Sequence, residues 1–219
     1  MAGALLFDLD GTLIHSDPLH VDIFVRMYAA RGRTIDTDYY LNHIHGRRSE
    51  VTFGEAFPDA DADALAEEKE TTFIREFPAS FPPMPGVTAL LDLAARDGLR
   101  TAVVTNAPRD NAYVMLDAIG LAQHFDTVVL AEDCTRGKPH PAPFLEAMRR
   151  LDATPDTALA FEDSPAGIAS ARAAGLFTIG IRSSLTDADL RNAGCHATLS
   201  DYTDPALPVL LARLKGTVE

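Results

Sequence analysis

The first apolar cluster in the chain is the short run Ala4-Leu5-Leu6, which leads into Phe7-Asp8-Leu9-Asp10-Gly11-Thr12. After Ile14-His15-Ser16-Asp17, Pro18 opens a segment whose apolar positions Leu19, Phe24, Met27 and Tyr28 share one helical face until Gly32. Further helical patterns cover about 36–44, 48–56 and 61–77, with no convincing strand among them. Residues Pro78 to Gly86 hold four prolines in nine positions and read as a stiff connector. The pattern then changes. Helices near 87–97, 109–119, 141–151 and 165–174 alternate with apolar strands at 100–104, 127–130, 158–161 and 177–181, and the tail from Leu207 reads as a closing helix through the run 209–214. Short, fully apolar strands alternating with helices predict an α/β fold: a doubly wound parallel sheet, covered on both faces, as a Rossmann-like core. The helical block breaks that alternation after the first strand, so it reads as an inserted α-helical cap. The expected division is a core of residues 1–15 and 81–219 and a cap of residues 16–80.

Length and charge narrow the partners. At 219 residues the chain is one domain, or one domain with an insertion. Lys+Arg 19 against Asp+Glu 32 gives a net charge of −13. That argues against a nucleic acid or an anionic membrane as partner, and an anionic substrate requires a local reversal of the field. The N-terminus carries no basic-plus-apolar signal and no run approaches the roughly 18 apolar residues of a membrane span, so a soluble cytoplasmic protein is expected, monomeric or a weak homodimer. Cys134 and Cys195 lie far apart in no metal-binding spacing and read as reduced bystanders.

In a parallel α/β sheet, ligands bind outside the carboxyl ends of the strands. The first strand ends in Asp8 and Asp10, the second in Thr105-Asn106 and the fourth in Glu162-Asp163, while Lys138-Pro139 precedes a helix between the third and fourth. Taken singly, each has a plain alternative: a solvated strand-end turn for Asp8 and Asp10, another turn for Thr105-Asn106, a surface charge for Lys138. Together they gather four carboxylates, a hydroxyl, an amide and an ammonium at one sheet edge. Two carboxylates one residue apart at a buried strand end call for a compensating cation, and Mg²⁺ takes such oxygen ligands together with substrate phosphate.

With those positions in place the chain resembles the haloacid dehalogenase-like hydrolases, in particular the subgroup of β-phosphoglucomutase and small sugar-phosphate phosphatases. Asp8-Leu9-Asp10-Gly11-Thr12 is similar to the first family motif, Thr105 to the second, Lys138 to the third and Glu162-Asp163 to the fourth, in the same order and spacing. The tracts Ser16-Asp17-Pro18-Leu19-His20 and Asp163-Ser164-Pro165-Ala166-Gly167 also resemble this subgroup. The resemblance implies that Asp8 is a nucleophile that becomes an aspartyl phosphate and that Asp10 is the general acid and then base. It further implies a Mg²⁺ ion held by the Asp8 side chain, the Asp10 backbone carbonyl and Asp163, with Glu162 binding directly or through water. Lys138 would pair with nucleophile and phosphate, and Thr105 and the backbone amides of Leu9 and Asn106 would bind phosphoryl oxygens. Asp10 must carry a proton when substrate binds, through a raised pKa or a proton brought by the substrate. Dehalogenase members lack an aspartate at the Asp10 position, so phosphoryl chemistry is expected.

The cap is less informative. By resemblance His20 contacts the active site, and the tract His45-Gly46-Arg47-Arg48 is similar to a loop whose arginine binds a second phosphate in the mutase. Which of Arg47 and Arg48 faces inward is open, and Lys69 is a further candidate for the substrate. Three functions fit. The first is a Mg²⁺-dependent phosphatase on a small phosphate ester, such as a sugar phosphate or phosphoglycolate, which Thr105-Asn106-Ala107-Pro108 favours. The second is a phosphomutase of the β-phosphoglucomutase type, and the third a non-catalytic phosphoryl-binding module.

Overall fold

A computed structural model describes residues 3–215. Strand β1 (Ala4–Phe7) is followed by four helices, α1 (Asp17–Ala29), α2 (Thr37–His43), α3 (Ser49–Ala56) and α4 (Ala62–Glu76). The alternating part comprises α5 (Val87–Asp97), β2 (Arg100–Thr105), α6 (Arg109–Ala118), β3 (Thr127–Leu130), α7 (Ala142–Leu151), β4 (Ala158–Glu162), α8 (Pro165–Ala173) and β5 (Phe177–Ile181). Helix α9 (Asp187–Asn192), strand β6 (Ala197–Leu199) and helix α10 (Leu207–Leu211) complete it, with a 3₁₀ turn over Ala212–Lys215. Among the described residues the strands form one six-stranded sheet in the order β3-β2-β1-β4-β5-β6, and every pairing is parallel.

Side-chain alternation explains why both faces are covered. In β1, Leu5 and Phe7 join one core with Leu90, Leu91, Met115 and Phe161, whereas Ala4 and Leu6 join the other with Phe144, Met148 and Leu151. Helices α5 and α6 therefore cover one face and α7 the other. The four-helix insertion packs its own aromatic centre, in which Phe24 stacks on Phe53 at 5.3 Å and Tyr28 meets Phe57 edge-on at 5.0 Å. Its helices start where the sequence offers caps: Asp36 accepts from the Tyr39 N–H at 2.8 Å and Asp61 from the Ala64 N–H at 3.1 Å.

Three expectations change. No element was expected between the 177–181 strand and the closing helix, yet α9 and β6 lie there; α9 is six residues with only Leu190 buried, and β6 is a three-residue edge strand, so neither carries a readable period. The closing helix begins at Leu207, where the tail was expected to turn helical, with Pro208 in its first turn, but gives way to 3₁₀ geometry from Ala212. The 100–104 and 158–161 strands each run one residue further, which brings Thr105 and Glu162 into the sheet itself.

Candidate active site

Register builds the site. β1 lies centrally, with Phe7 paired to Val103 of β2 on one side and to Phe161 of β4 on the other. The chain order therefore reverses at β1, and a crevice forms outside the strand ends at such a point. Asp8 stays in register through its N–H to the Phe161 carbonyl (2.9 Å), which places Glu162 and Asp163 beside it. The chain then folds back on itself, with the Gly11 N–H bonded to the Ile14 carbonyl at 2.7 Å. Gly11 sits at φ 67°, and a Cβ there would fall 1.7 Å from Asp163 Oδ2, so only glycine serves.

Lys138 is buried and its ammonium lies 2.5 Å from both Asp8 Oδ1 and Glu162 Oε1. The loop that carries it is fixed by Asn106, whose Oδ1 accepts the Lys138 N–H at 2.9 Å and whose Nδ2 donates to the Lys138 carbonyl at 3.1 Å. Burial pushes the Asp8 carboxyl well above the ordinary carboxylate range, against the pull of Lys138; Glu162, Asp163 and Asp10 add to the push. Burial also lifts Asp163, to about 6. Lys138 loses to burial but gains more from Asp8 and Glu162, which hold its proton above the usual lysine range. Oxygen atoms of Asp8, Glu162 and Asp163 all lie within 4.8 Å of one another. Three hard oxygen donors, two of them resisting ionisation because they are buried, fit a Mg²⁺ ion.

Asp10 lives in different surroundings two residues away. Its Oδ1 accepts from Ser16 Oγ at 2.6 Å and lies 2.8 Å from His20 Nε2 on α1, and its side chain is a quarter exposed. Burial raises this carboxyl, but His20, Ser16 and Lys69 outweigh burial and hold it below the ordinary range. Of the two routes expected for a proton on Asp10, a raised pKa is not found, which leaves the proton brought by the substrate. Thr105 is buried at the end of β2, and its Oγ1 accepts the Ala107 N–H at 3.0 Å, leaving the hydroxyl proton free to donate.

The insertion closes over this edge. His20 stacks on Phe73 at 4.3 Å, which fixes its ring above Asp10. The loop between α2 and α3 sends in His45, a residue to which the sequence assigned no role. Its Nε2 lies 3.1 Å from Asp163 Oδ2 and 3.4 Å from Asp17 Oδ1. Burial opposes charge on this imidazole, yet Asp163 and Asp17 hold its proton well above the usual histidine value. Next to it Gly46 gives its carbonyl to Asn106 Nδ2 (2.9 Å) and takes φ 74°; a Cβ there would fall 2.2 Å from Ser164 Oγ. Ser183 and Ser184 complete the surroundings, bonding Asp163 at 3.1 Å and Asp17 at 2.5 Å. These partners are separated from each other by up to 167 positions, so no local sequence signal links them.

The remaining cap candidates line the same crevice but are occupied. Arg47 bonds Glu55 at 2.5 Å and the His43 carbonyl at 3.0 Å, and Arg48 pairs with Glu50. Lys69 is buried and points inward, with its ammonium 3.0 Å from Glu70 Oε2. Asp8, Asp10, Asp163 and Asn106 thus line one crevice together with the two arginines, while Leu9 is buried in the core beneath it. The chamber they line measures about 70 Å³.

Comparison with known proteins accords with this geometry. A family described as "Haloacid dehalogenase-like hydrolase" matches residues 5–181. The validoxylamine A 7'-phosphate phosphatase of Streptomyces hygroscopicus subsp. limoneus is 33% identical over 207 residues, covering 93% of this chain and 95% of that protein. The structure of a HAD hydrolase, family IA, variant 3, from Entamoeba histolytica superimposes with a TM-score of 0.85 at 27% identity, over 98% of this chain and 100% of the other. A β-phosphoglucomutase from Clostridium difficile shares the fold, with a TM-score of 0.83 at 21% identity over 99% and 98% of the two chains. The chain therefore belongs to the haloacid dehalogenase-like hydrolase family, in its subgroup of phosphoric monoester hydrolases.

Proposed function

We propose that the protein is a cytoplasmic, Mg²⁺-dependent phosphatase that hydrolyses a small phosphate monoester, of the sugar phosphate or phosphoglycolate type, through an aspartyl phosphate on Asp8. The observation that carries this reading is the separation of two neighbouring aspartates: Asp8 faces Lys138 and the acidic cluster, while Asp10 faces Ser16 and His20. One strand end thus holds a carboxylate suited to attack and another suited to proton transfer.

Asp8, Asp163 and Glu162, with the Asp10 backbone carbonyl, would hold the Mg²⁺ ion. When bound, that ion supplies positive charge to the phosphoryl oxygens and the nucleophile. Thr105 Oγ1 and the N–H groups of Leu9 and Asn106 bind the phosphoryl oxygens, and Lys138 neutralises charge between Asp8 and the ester. Because Lys138 holds Oδ1 of Asp8, the Oδ2 oxygen attacks phosphorus; the bond to the leaving oxygen breaks, and that oxygen takes a proton from Asp10. The lowered pKa of Asp10 means this proton arrives with the substrate monoanion or through His20, 2.8 Å away. Asp10, now a carboxylate, takes a proton from water as its oxygen attacks phosphorus, releasing inorganic phosphate and restoring Asp8.

Residues 16–80 act as a cap hinged at 13–17 and 80–86, with the His45-Gly46 loop as its contact with the core. The pairing of Arg47 with Glu55, Arg48 with Glu50 and Lys69 with Glu70 supports phosphatase over mutase, since a second phosphate would have to displace a carboxylate from each cation. The presence of every motif residue supports an enzyme over a binding module. Two cysteines that stay unpaired suit a reducing, cytoplasmic setting. The test is phosphate release from a panel of monoesters with Mg²⁺, with EDTA, and with a sugar bisphosphate added. Release that requires Mg²⁺ and gains nothing from the bisphosphate is expected; isomerisation of a sugar phosphate dependent on the bisphosphate would overturn it.

A further inference from the structure

A second cavity, about 560 Å³, opens beside the catalytic chamber at the seam between the insertion and the core. The two spaces share a neck that includes Ser49 and Glu70 from the insertion and Asn106 and Asn111 from the core. Glu70 is the hub of this neck. Its Oε1 accepts from Ser49 Oγ at 2.6 Å and its Oε2 from Asn111 Nδ2 at 2.5 Å, while both oxygens lie 3.0–3.1 Å from Lys69 Nζ. Ser49 and Asn111 are buried, so this hydrogen-bonded cluster sits sheltered between the two spaces rather than on open surface.

Size and charge then limit what can pass through. The inner chamber, at about 70 Å³, is suited to the phosphoryl group, whereas the outer cavity lies within the roughly 300–1,000 Å³ of small-molecule sites. Its wall carries five carboxylates, Glu50, Glu67, Glu70, Asp110 and Glu132, against two guanidiniums. Both guanidiniums are already paired, Arg48 with Glu50 and Arg109 with Glu132 and Asp133 at 2.9 Å. A second anion on the leaving group would meet a wall on which carboxylates outnumber guanidiniums and every guanidinium already holds a carboxylate. Hydroxyl groups would instead exchange with the bonds that Glu70, Ser49 and Asn111 now make to one another, since the carboxylate accepts and the serine and the amide both donate and accept.

We propose that this neck and cavity receive the leaving group and select a polyhydroxylated alcohol that bears no second anion, with Glu70 as the specificity-determining residue. The proposal rests on the phosphatase reading above and narrows its substrate class from "sugar phosphate or phosphoglycolate" to the former. Because Glu70 comes from α4 and Asn111 from α6, the same contact that recognises the hydroxyls also joins the insertion to the core.

The test measures kcat/KM of the full chain with Mg²⁺ for p-nitrophenyl phosphate, glucose monophosphate, trehalose phosphate, phosphoglycolate and glucose bisphosphate. The two monoesters of uncharged sugars are expected to exceed phosphoglycolate and the bisphosphate by about tenfold or more. Glu70→Gln should shrink that ratio several-fold. Ser49→Ala should lower kcat/KM for the sugars more than for p-nitrophenyl phosphate, and with the wild-type ratio it decides the matter if Glu70→Gln does not fold. Wild-type preference for phosphoglycolate or the bisphosphate, with p-nitrophenyl phosphate still cleaved, would overturn this proposal and leave the phosphatase reading standing. Release of phosphate from none of the five would overturn both.

Discussion

Asp8 and Asp10 share a strand end and differ in every neighbour that matters. Lys138 and the acidic cluster surround the first, and Ser16 and His20 the second. Asp8→Asn should therefore cut turnover by roughly a thousandfold or more. It should not lower the melting temperature in EDTA, because burial already resists the charge that the substitution removes; a large drop would mean that Asp8 is chiefly structural. Asp10→Asn should likewise damage turnover but spare most of the Mg²⁺ affinity, since its carboxyl faces away from the cluster, and calorimetric titration with Mg²⁺ checks this. Gly46→Ala tests the docked loop at one atom. A Cβ forced to φ 74° and 2.2 Å from Ser164 Oγ should destabilise by at least the roughly 1–2 kcal/mol of a left-handed non-glycine residue, measured by denaturant unfolding. Unchanged stability would show that the loop is not held as described.

At the scale of elements, the sheet was legible because each central strand is an apolar run with no competing period, and the ends of those runs placed Asp8, Thr105 and Asp163 at one edge. Lys138 was legible through its place between the third and fourth strands together with its family spacing, since nothing local marks a loop lysine as buried. The partners of the insertion were not legible. His45 meets Asp163 across 118 positions, and Asn111 meets Glu70 across 41, so only the packed fold brings them together. Helix α9 and strand β6 were missed for a different reason: elements of six and three residues bury too few side chains to show periodicity. The loop contacts give a further prediction. Asn106→Ala removes bonds to the Gly46 carbonyl and to both backbone groups of Lys138 and should cost about 1–3 kcal/mol. It should also raise hydrogen exchange at residues 44–49; exchange identical to wild type would detach the loop from Asn106.

The whole molecule carries a net charge of −13, and a cluster of its carboxylates is buried together at the sheet edge. Asp163 titrates at about 6 in the native state, and Asp8 is also raised, against an ordinary 3.8 for an aspartate. Between those values the native state binds more protons than the unfolded chain, so stability in EDTA falls as pH rises through that window. His45 acts in the same sense, its contribution being present below the usual histidine value of 6.5 and lost as pH rises through its native value. Asp17, held below the ordinary range, works the other way, and its contribution is lost in strong acid. The melting temperature in EDTA should therefore be higher near about pH 5 than near about pH 8. Mg²⁺ should narrow that gap, because it binds the ionised carboxylates and loses affinity as pH drops below about 6. A melting temperature in EDTA that rises from the lower pH to the higher would contradict the assignment of the acidic cluster. The central claim is that the phosphoryl group passes through Asp8, and rapid-quench peptide mass analysis during turnover of a phosphate ester tests it most directly. The mass of one phosphoryl group should appear on the peptide that contains Asp8 and accumulate further in Asp10→Asn. Phosphate release at the wild-type rate by Asp8→Asn, with no phosphorylated peptide, would contradict it.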